Sequence, residues 1–167
     1  TSLVGNWKRE LKKFAPHLRV VVYHGQRRRE RLPALRRAEV VLTTYPVLLR
    51  DRALLAELEL HYLILDEAQA IKNPRSQAAK AVRELNARHR LCLTGTPIEN
   101  NLEELWSLFE FLMPGLLGNA EQFRTAFRVP IERGDDEQRL MLLRQRVAPF
   151  VLRRKSIGWP SGIVFVG

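Results

Sequence analysis

Short apolar runs alternate with segments of helical periodicity along most of this chain. Val20-Val21-Val22-Tyr23, Val40-Val41-Leu42-Thr43, Tyr62-Leu63-Ile64-Leu65 and Leu91-Cys92-Leu93 are continuous rather than alternating, and polar residues or glycine bound them. Continuous apolarity predicts strands buried on both faces, as in a parallel sheet. Leu3, Trp7, Leu11 and Phe14 form one stripe of a predicted first helix, with Lys8, Arg9, Lys12 and Lys13 elsewhere. Gln77 to Arg88 predicts a second helix with Ala78, Ala81, Val82 and Leu85 inward. Asn101 to Leu112 predicts a third, with Leu102, Leu105, Leu108, Phe109 and Leu112 inward. Strand, helix, strand, helix implies an α/β domain with right-handed crossovers.

The pattern changes after Met113-Pro114-Gly115. Residues 116–148 show no strand-like run, but they carry the aromatic anchors Phe123 and Phe127 and a helical stretch from Gln138 to Val147. They read as a helical excursion from the sheet, with Gly134-Asp135-Asp136 as a turn inside it. Both ends look cut. The first helix begins essentially at residue 1 without a strand to lead into it. Ile157 to Gly167 carry no charge in a chain that is 28% charged. That tail reads as a cloning scar, a frameshift product or a terminal strand with nothing beyond it.

Composition narrows the class. With 167 residues, 46% of them apolar, the chain is long enough for one domain with a real core, and global disorder is disfavoured. No apolar run approaches the roughly 20 residues of a membrane span. One cysteine cannot form an internal disulfide, which suits a reducing, intracellular compartment. Four scattered histidines and that cysteine give no zinc-ligand spacing.

The net charge of +10 is unevenly placed. Residues 1–37 hold eleven Lys/Arg against Glu10 and Glu30, with a dense block at Arg27-Arg28-Arg29-Glu30-Arg31. Such a field attracts polyanions, nucleic acid first. The alternative is a solvated arginine face in a chain where arginine outnumbers lysine 22 to 6.

Chemistry concentrates in two places. Tyr62-Leu63-Ile64-Leu65 runs into Asp66-Glu67-Ala68-Gln69, which sets two carboxylates at the carboxyl edge of a parallel sheet, where open α/β folds bind ligands. Mg²⁺ takes oxygen ligands, usually one or two carboxylates plus phosphate oxygens. Asp66 would hold it, and Glu67 would orient or deprotonate an attacking water. A solvated acidic turn is the alternative. Leu91-Cys92-Leu93 runs into Thr94-Gly95-Thr96-Pro97, whose hydroxyls can bond phosphate, water or a neighbouring carboxylate. Its alternative is a plain turn, with Asn100 capping the helix that follows. Each signal is weak alone; 28 residues apart with a helix between, they are strong together.

The Asp-Glu-Ala-Gln box, followed by Ala70-Ile71-Lys72-Asn73-Pro74 and then by Leu-Thr-Gly-Thr-Pro-Ile-Glu-Asn at 93–100, closely resembles the Swi/Snf family of helicase-like DNA translocases. Asn101-Leu102-Glu103-Glu104-Leu105-Trp106-Ser107-Leu108 and the Phe-Leu-Met-Pro-Gly-Leu-Leu-Gly run at 111–118 continue the family's pattern. Ser2-Leu3 with Asn6-Trp7 and Glu10 looks like motif Ia, and Val41-Leu42-Thr43-Thr44-Tyr45 like motif Ib. Phe150-Val151-Leu152-Arg153-Arg154 looks like the segment leading from the first RecA-like lobe to the second.

The resemblance implies a RecA-like parallel sheet flanked by helices: a truncated first lobe over 1–155, a helical protrusion at about 115–148 and a non-family apolar tail at 156–167. It makes Asp66 and Glu67 the Walker B pair and Thr94, Gly95 and Thr96 the motif III that couples nucleotide state to DNA contact. Gln69 either joins the two or simply opens a helix. Ser2, Asn6 and Trp7, with Thr43 and Thr44, would line the track of one DNA strand, while Trp7 also suits core packing and Tyr45 and Trp106 are read as packing residues. The block Arg27, Arg28, Arg29 is no family motif, and it would extend that field as a non-specific patch.

The implied cofactors are ATP and Mg²⁺. The implied partners are double-stranded DNA, a second RecA-like lobe and DNA-bound protein complexes, in the cytoplasm or nucleoid of a bacterium or the nucleus of a eukaryote. Neither Gly-Lys-Ser nor Gly-Lys-Thr occurs in the chain. Without that phosphate cradle the expected unit is a piece of a DNA-dependent ATPase, inactive by itself. The alternative is a non-catalytic DNA-binding or protein-docking module derived from the lobe.

Overall fold

The computed structural model describes residues 3–95, 101–153 and 163–166. The chain divides into two compact units, Thr1–Leu58 and Glu59–Gly167.

In the first unit, α1 (Leu3–Phe14) leads into β1 (Val20–Val22). A tight helical turn, Arg28–Arg31, and α2 (Leu32–Leu35) carry the chain to β2 (Val40–Leu42), followed by α3 (Tyr45–Arg50) and α4 (Arg52–Ala56). β1 and β2 are parallel, with Val20 opposite Val40 and Val22 opposite Leu42. Tyr23, Leu35, Val47, Leu48 and Leu55 form the buried core. The expected stripe of α1 is only partly covered. Trp7 and Leu11 are half-buried, whereas Phe14 at the helix end is 72% exposed, with the Lys13 ammonium 4.8 Å from its ring centre.

The second unit opens with β3 (Leu60–Leu65), then α5 (Gln77–Glu84), β4 (Ala87–Thr94) and α6 (Leu102–Leu112). β3 and β4 are parallel, with Leu65 opposite Cys92. The second helix therefore stops before Arg88, which belongs to the strand. Leu85 is extended, and pairing with β3 reaches back to Ala87. Ser76 caps α5, accepting from Ala79 N at 3.1 Å. The cap of α6 is Asn101, not Asn100 as the sequence suggested. Asn101 Oδ1 accepts from the Glu103 and Glu104 backbone N–H groups at 3.0 and 3.3 Å, and Asn100 lies outside the described residues.

The expectation of strands buried on both faces holds on one face only. Leu65, Cys92 and Thr94 are buried, but Tyr62 and Ile64 on the opposite face of β3 are 59% and 52% exposed. Nor is the sheet purely parallel. After α7 (Ala120–Phe123), a wide π-helical turn (Arg124–Arg128), α8 (Val129–Gly134) and α9 (Glu137–Val147), β5 (Val151–Arg153) joins it through β6 (Ile163–Val166). β6 is antiparallel to both β4 and β5, in the order β3-β4-β6-β5. The uncharged tail thus contributes a strand that completes the ladder of β4.

Residues 116–148 are helical, as their periodicity predicts. Phe123 and Phe127 are buried with ring centroids 5.7 Å apart, and Asp135 turns the chain with φ 47° after Gly134. Gly118 is required where α7 begins. Its φ is +75°, and a Cβ there would lie 2.9 Å from Gln122 Oε1, the atom that accepts the Asn119 N–H. Trp106, read as a packing residue, is buried and donates its indole N–H to the Gly118 carbonyl at 3.0 Å.

Candidate functional site

Parallel pairing of β3 and β4 brings their carboxyl ends together, so Asp66-Glu67 and Thr94-Gly95 share one edge of the sheet. The chain must turn sharply there. Glu67 adopts a left-handed conformation, φ 50° and ψ 50°, uncommon for a residue with a side chain and of the kind that clusters at functional sites. Its N–H donates to Asp66 Oδ1 at 2.9 Å, which fixes one carboxylate against the backbone of the other.

Gln69 joins the two motifs. Its amide Nε2 donates to Glu67 Oε2, and its Oε1 accepts from Thr94 Oγ1 at 3.2 Å. Thr94 is buried while Gln69 is exposed, so the bond runs from the core of the sheet out to its edge. The segment after the acidic box is also gripped from α6. Ser107, itself buried, donates to the Ile71 carbonyl at 2.6 Å, and Lys72 pairs with Glu104 at 2.8 Å. Both flanks of the Thr-Gly-Thr-Pro turn, the incoming strand and the outgoing helix, thus hold the same stretch, 67–72. Thr96 lies outside the described residues.

Asp66 and Glu67 offer hard oxygen donors at a strand edge, which fits Mg²⁺ completed by phosphate oxygens. No cluster of three or more potential ligands occurs among the described residues, so a metal caged by protein alone is not what this edge offers. The phosphates of ATP do not fit these residues unaided, because no Gly-Lys-Ser or Gly-Lys-Thr cradle occurs in the sequence. Cys92, beneath the site in β4, is fully buried, and burial pushes its thiol up to about 12.

In the first unit two of the expected DNA-track residues, Thr43 and Thr44, follow directly on the carboxyl end of β2. Thr43 Oγ1 donates to the Tyr23 carbonyl at 2.9 Å, tying the two strand ends together. Thr44 begins α3 without a side-chain capping bond. Asn6, in α1, is exposed, and its Oδ1 accepts from Arg9 Nη2 at 2.5 Å. Ser2 lies outside the described residues.

The basic block does not behave as one free patch. Arg27 is 88% exposed beside Glu30. Arg29 is 69% exposed and meets Asp51 at 3.0 Å. Arg28 turns inward, 14% exposed, with its Nε 2.5 Å from Asp51. It is a buried ion-pair partner rather than a surface cation, because the fully buried Asp51 carboxylate needs one. Sequence reading missed Asp51. Its partners lie 22 to 28 positions away, and no local periodicity announces them.

The model of the SNF2-related domain matches residues 1–157. The chain belongs to that family. Among solved structures, the SNF2-related chain is similar to the Sulfolobus solfataricus SWI2/SNF2 ATPase core in complex with dsDNA. The TM-score is 0.82 at 48% identity, covering 92% of this chain and 32% of that one. The Sulfolobus solfataricus SWI2/SNF2 ATPase core domain gives a TM-score of 0.78 at 46% identity, covering 94% of this chain and 32% of that one.

Among curated relatives, TATA-binding protein-associated factor MOT1 of Saccharomyces cerevisiae is 46% identical over 166 residues, covering 92% of this chain and 9% of its own length. An uncharacterized ATP-dependent helicase of Mycoplasma genitalium, MG018, is 38% identical over 154 residues, covering 92% and 14%. The fold is the RecA-like α/β fold of this ATPase core. The SNF2-related chain spans only a small part of each relative. No helix among its described residues is long and apolar enough to cross a membrane.

Proposed function

We propose that this SNF2-related chain is part of the ATP-driven motor of a double-stranded DNA translocase, forming most of the first of two RecA-like lobes through residue 155. The observation that carries the reading is the bond from Thr94 to Gln69 and on to Glu67. It makes the acidic pair and the Thr-Gly-Thr-Pro turn one unit, as coupling of nucleotide state to DNA contact requires. Asp66 would hold Mg²⁺, which when bound would supply neutralisation of phosphate charge. Glu67 orients or deprotonates water, held in place by its own strained turn and by Gln69. Thr94, Gly95 and Thr96 report that state to the DNA side.

Asn6, Thr43 and Thr44, with Ser2, meet the phosphates of one strand, and Arg27 and Arg29 add a sequence-independent field. Similarity to the archaeal core in complex with dsDNA and to the ATP-dependent helicase of Mycoplasma genitalium supports this choice of substrate and fuel. The second lobe of the motor and DNA-bound protein complexes are this chain's partners.

A polypeptide of these 167 residues should show no ATP turnover with saturating duplex DNA, because it contains no phosphate cradle. Turnover that disappears in Glu67→Gln would show instead that these residues hold a complete site.

A further inference from the structure

Asp51 sits where α3 gives way to α4, and nothing in the acidic box explains a carboxylate buried there. A buried charge demands partners. Tyr23 Oη donates to it at 3.0 Å, Arg28 through Nε at 2.5 Å and Nη2 at 3.3 Å, and Arg29 through Nη2 at 3.0 Å. The backbone of Tyr23 in turn faces motif Ib. Its N–H donates to the Leu42 carbonyl at 2.8 Å, and its carbonyl accepts from Thr43 Oγ1 at 2.9 Å. One carboxylate therefore fastens the basic turn to the end of β1 and β2 that carries Thr43.

The two arginines are held differently. Arg28 is used internally, since its Nη1 also reaches the Gly25 carbonyl at 3.2 Å. Arg29 is anchored through one nitrogen and stays 69% exposed. A guanidinium presents five N–H donors in a planar fork, so Arg29 keeps an outward edge while its inner corner is fixed. Holding the side chain before binding removes rotamer entropy that binding would otherwise cost. Four arginines over 27–31 against Glu30 and Asp51 leave the turn positive.

We propose that Asp51 is a positioning residue that presents Arg29 to the phosphate backbone of duplex DNA, at the same strand ends as Thr43. The proposal rests on the reading of that edge as a DNA track. A phosphodiester is the ligand because its oxygens match the planar fork and carry no base sequence.

The test is fluorescence anisotropy of the 167-residue chain on a labelled duplex of about 30 base pairs, over about 50–200 mM salt. Arg29→Gln, on an exposed side chain, should weaken binding several-fold and make the log–log salt slope shallower by about one unit. Asp51→Asn reverses the sign of the electrostatic expectation. It adds net positive charge, so charge alone predicts tighter binding and a steeper slope, whereas lost positioning predicts weaker binding and a shallower one. Asp51→Glu keeps the charge and displaces the carboxylate by one methylene, and it should also weaken binding. An unchanged slope in Arg29→Gln, unchanged affinity in Asp51→Glu, or tighter binding by folded Asp51→Asn overturns the proposal. Wild-type chain with no salt-dependent duplex binding overturns the DNA-track reading itself, and the proposal with it.

Discussion

Thr94, at the end of β4, donates its hydroxyl O–H to the side-chain carbonyl of Gln69 at 3.2 Å, and Gln69 donates its own amide N–H to the Glu67 carboxylate. An uncharged glutamine can accept from one motif while donating to another, which a carboxylate at that position could not do without a proton. The residue that closes the acidic box is therefore the one that ties it to the turn 28 residues on.

This relay predicts a measurable coupling. Gln69→Ala and Thr94→Val should each lower unfolding free energy by about 1 kcal/mol, the net worth of a typical intramolecular hydrogen bond. The double variant should cost less than their sum by about 0.5 kcal/mol or more, because both remove the same bond. Urea unfolding of the four proteins checks this, and strict additivity would show that the two residues act separately.

The grip of α6 on the segment after the box gives a second expectation. Ser107→Ala leaves the Ile71 carbonyl without its 2.6 Å partner and should cost about 1–3 kcal/mol. Asn101→Ala removes the cap of the same helix and should cost about 1 kcal/mol. Denaturant midpoints decide both.

Most of the architecture was legible in the sequence because its signals are local. The bounded runs at 20–23, 40–43 and 62–65 and the stripe of residues 3–14 each carry their own periodicity. Asp66-Glu67 and Thr94-Gly95 were legible for the same reason, since a polar turn follows directly on an apolar strand. The rest depended on partners distant in sequence. Asp51 is a lone acid between two short helical runs, and only folding shows that Tyr23, Arg28 and Arg29 converge on it. The same burial withdraws Arg28 from the free basic face that charge counting suggests. The start of β4 at Ala87 was hidden because Arg88, His89 and Arg90 carry no apolar pattern. Pairing with β3 and the bonds from Arg90 to the Leu85 and Phe111 carbonyls override it.

Acid should expose the Asp51 network. The hydrogen bonds from Arg28, and then those from Arg29 and Tyr23, hold the Asp51 carboxyl at about 2, against an ordinary value of 3.8. A carboxylate lowered in the folded state stabilises it above the ordinary value, and that contribution disappears as pH falls from about 4 through 2. The loss should be about 1–2 kcal/mol, allowing for solvent screening on the exposed Arg29 side. Stability of wild type and Asp51→Asn measured across that window should converge as pH falls. Parallel curves would remove Asp51 from the acid response.

Cys92 supplies a probe of the core beneath the site. Its thiol is fully buried and its ionisation is pushed up to about 12, so a thiol reagent at neutral pH should label it only on unfolding. Rapid labelling of the native chain would contradict the packing of β4.

The most direct test of the motor assignment replaces the matching third of the Sulfolobus solfataricus SWI2/SNF2 core with residues 1–155 of this chain and measures ATP hydrolysis with and without duplex DNA. The chimera should hydrolyse ATP faster when duplex is present, and Glu67→Gln within it should cut turnover by about 10²-fold or more, as loss of a general base does. A folded chimera whose DNA-stimulated turnover is unchanged by Glu67→Gln would contradict the assignment of this acidic box to hydrolysis.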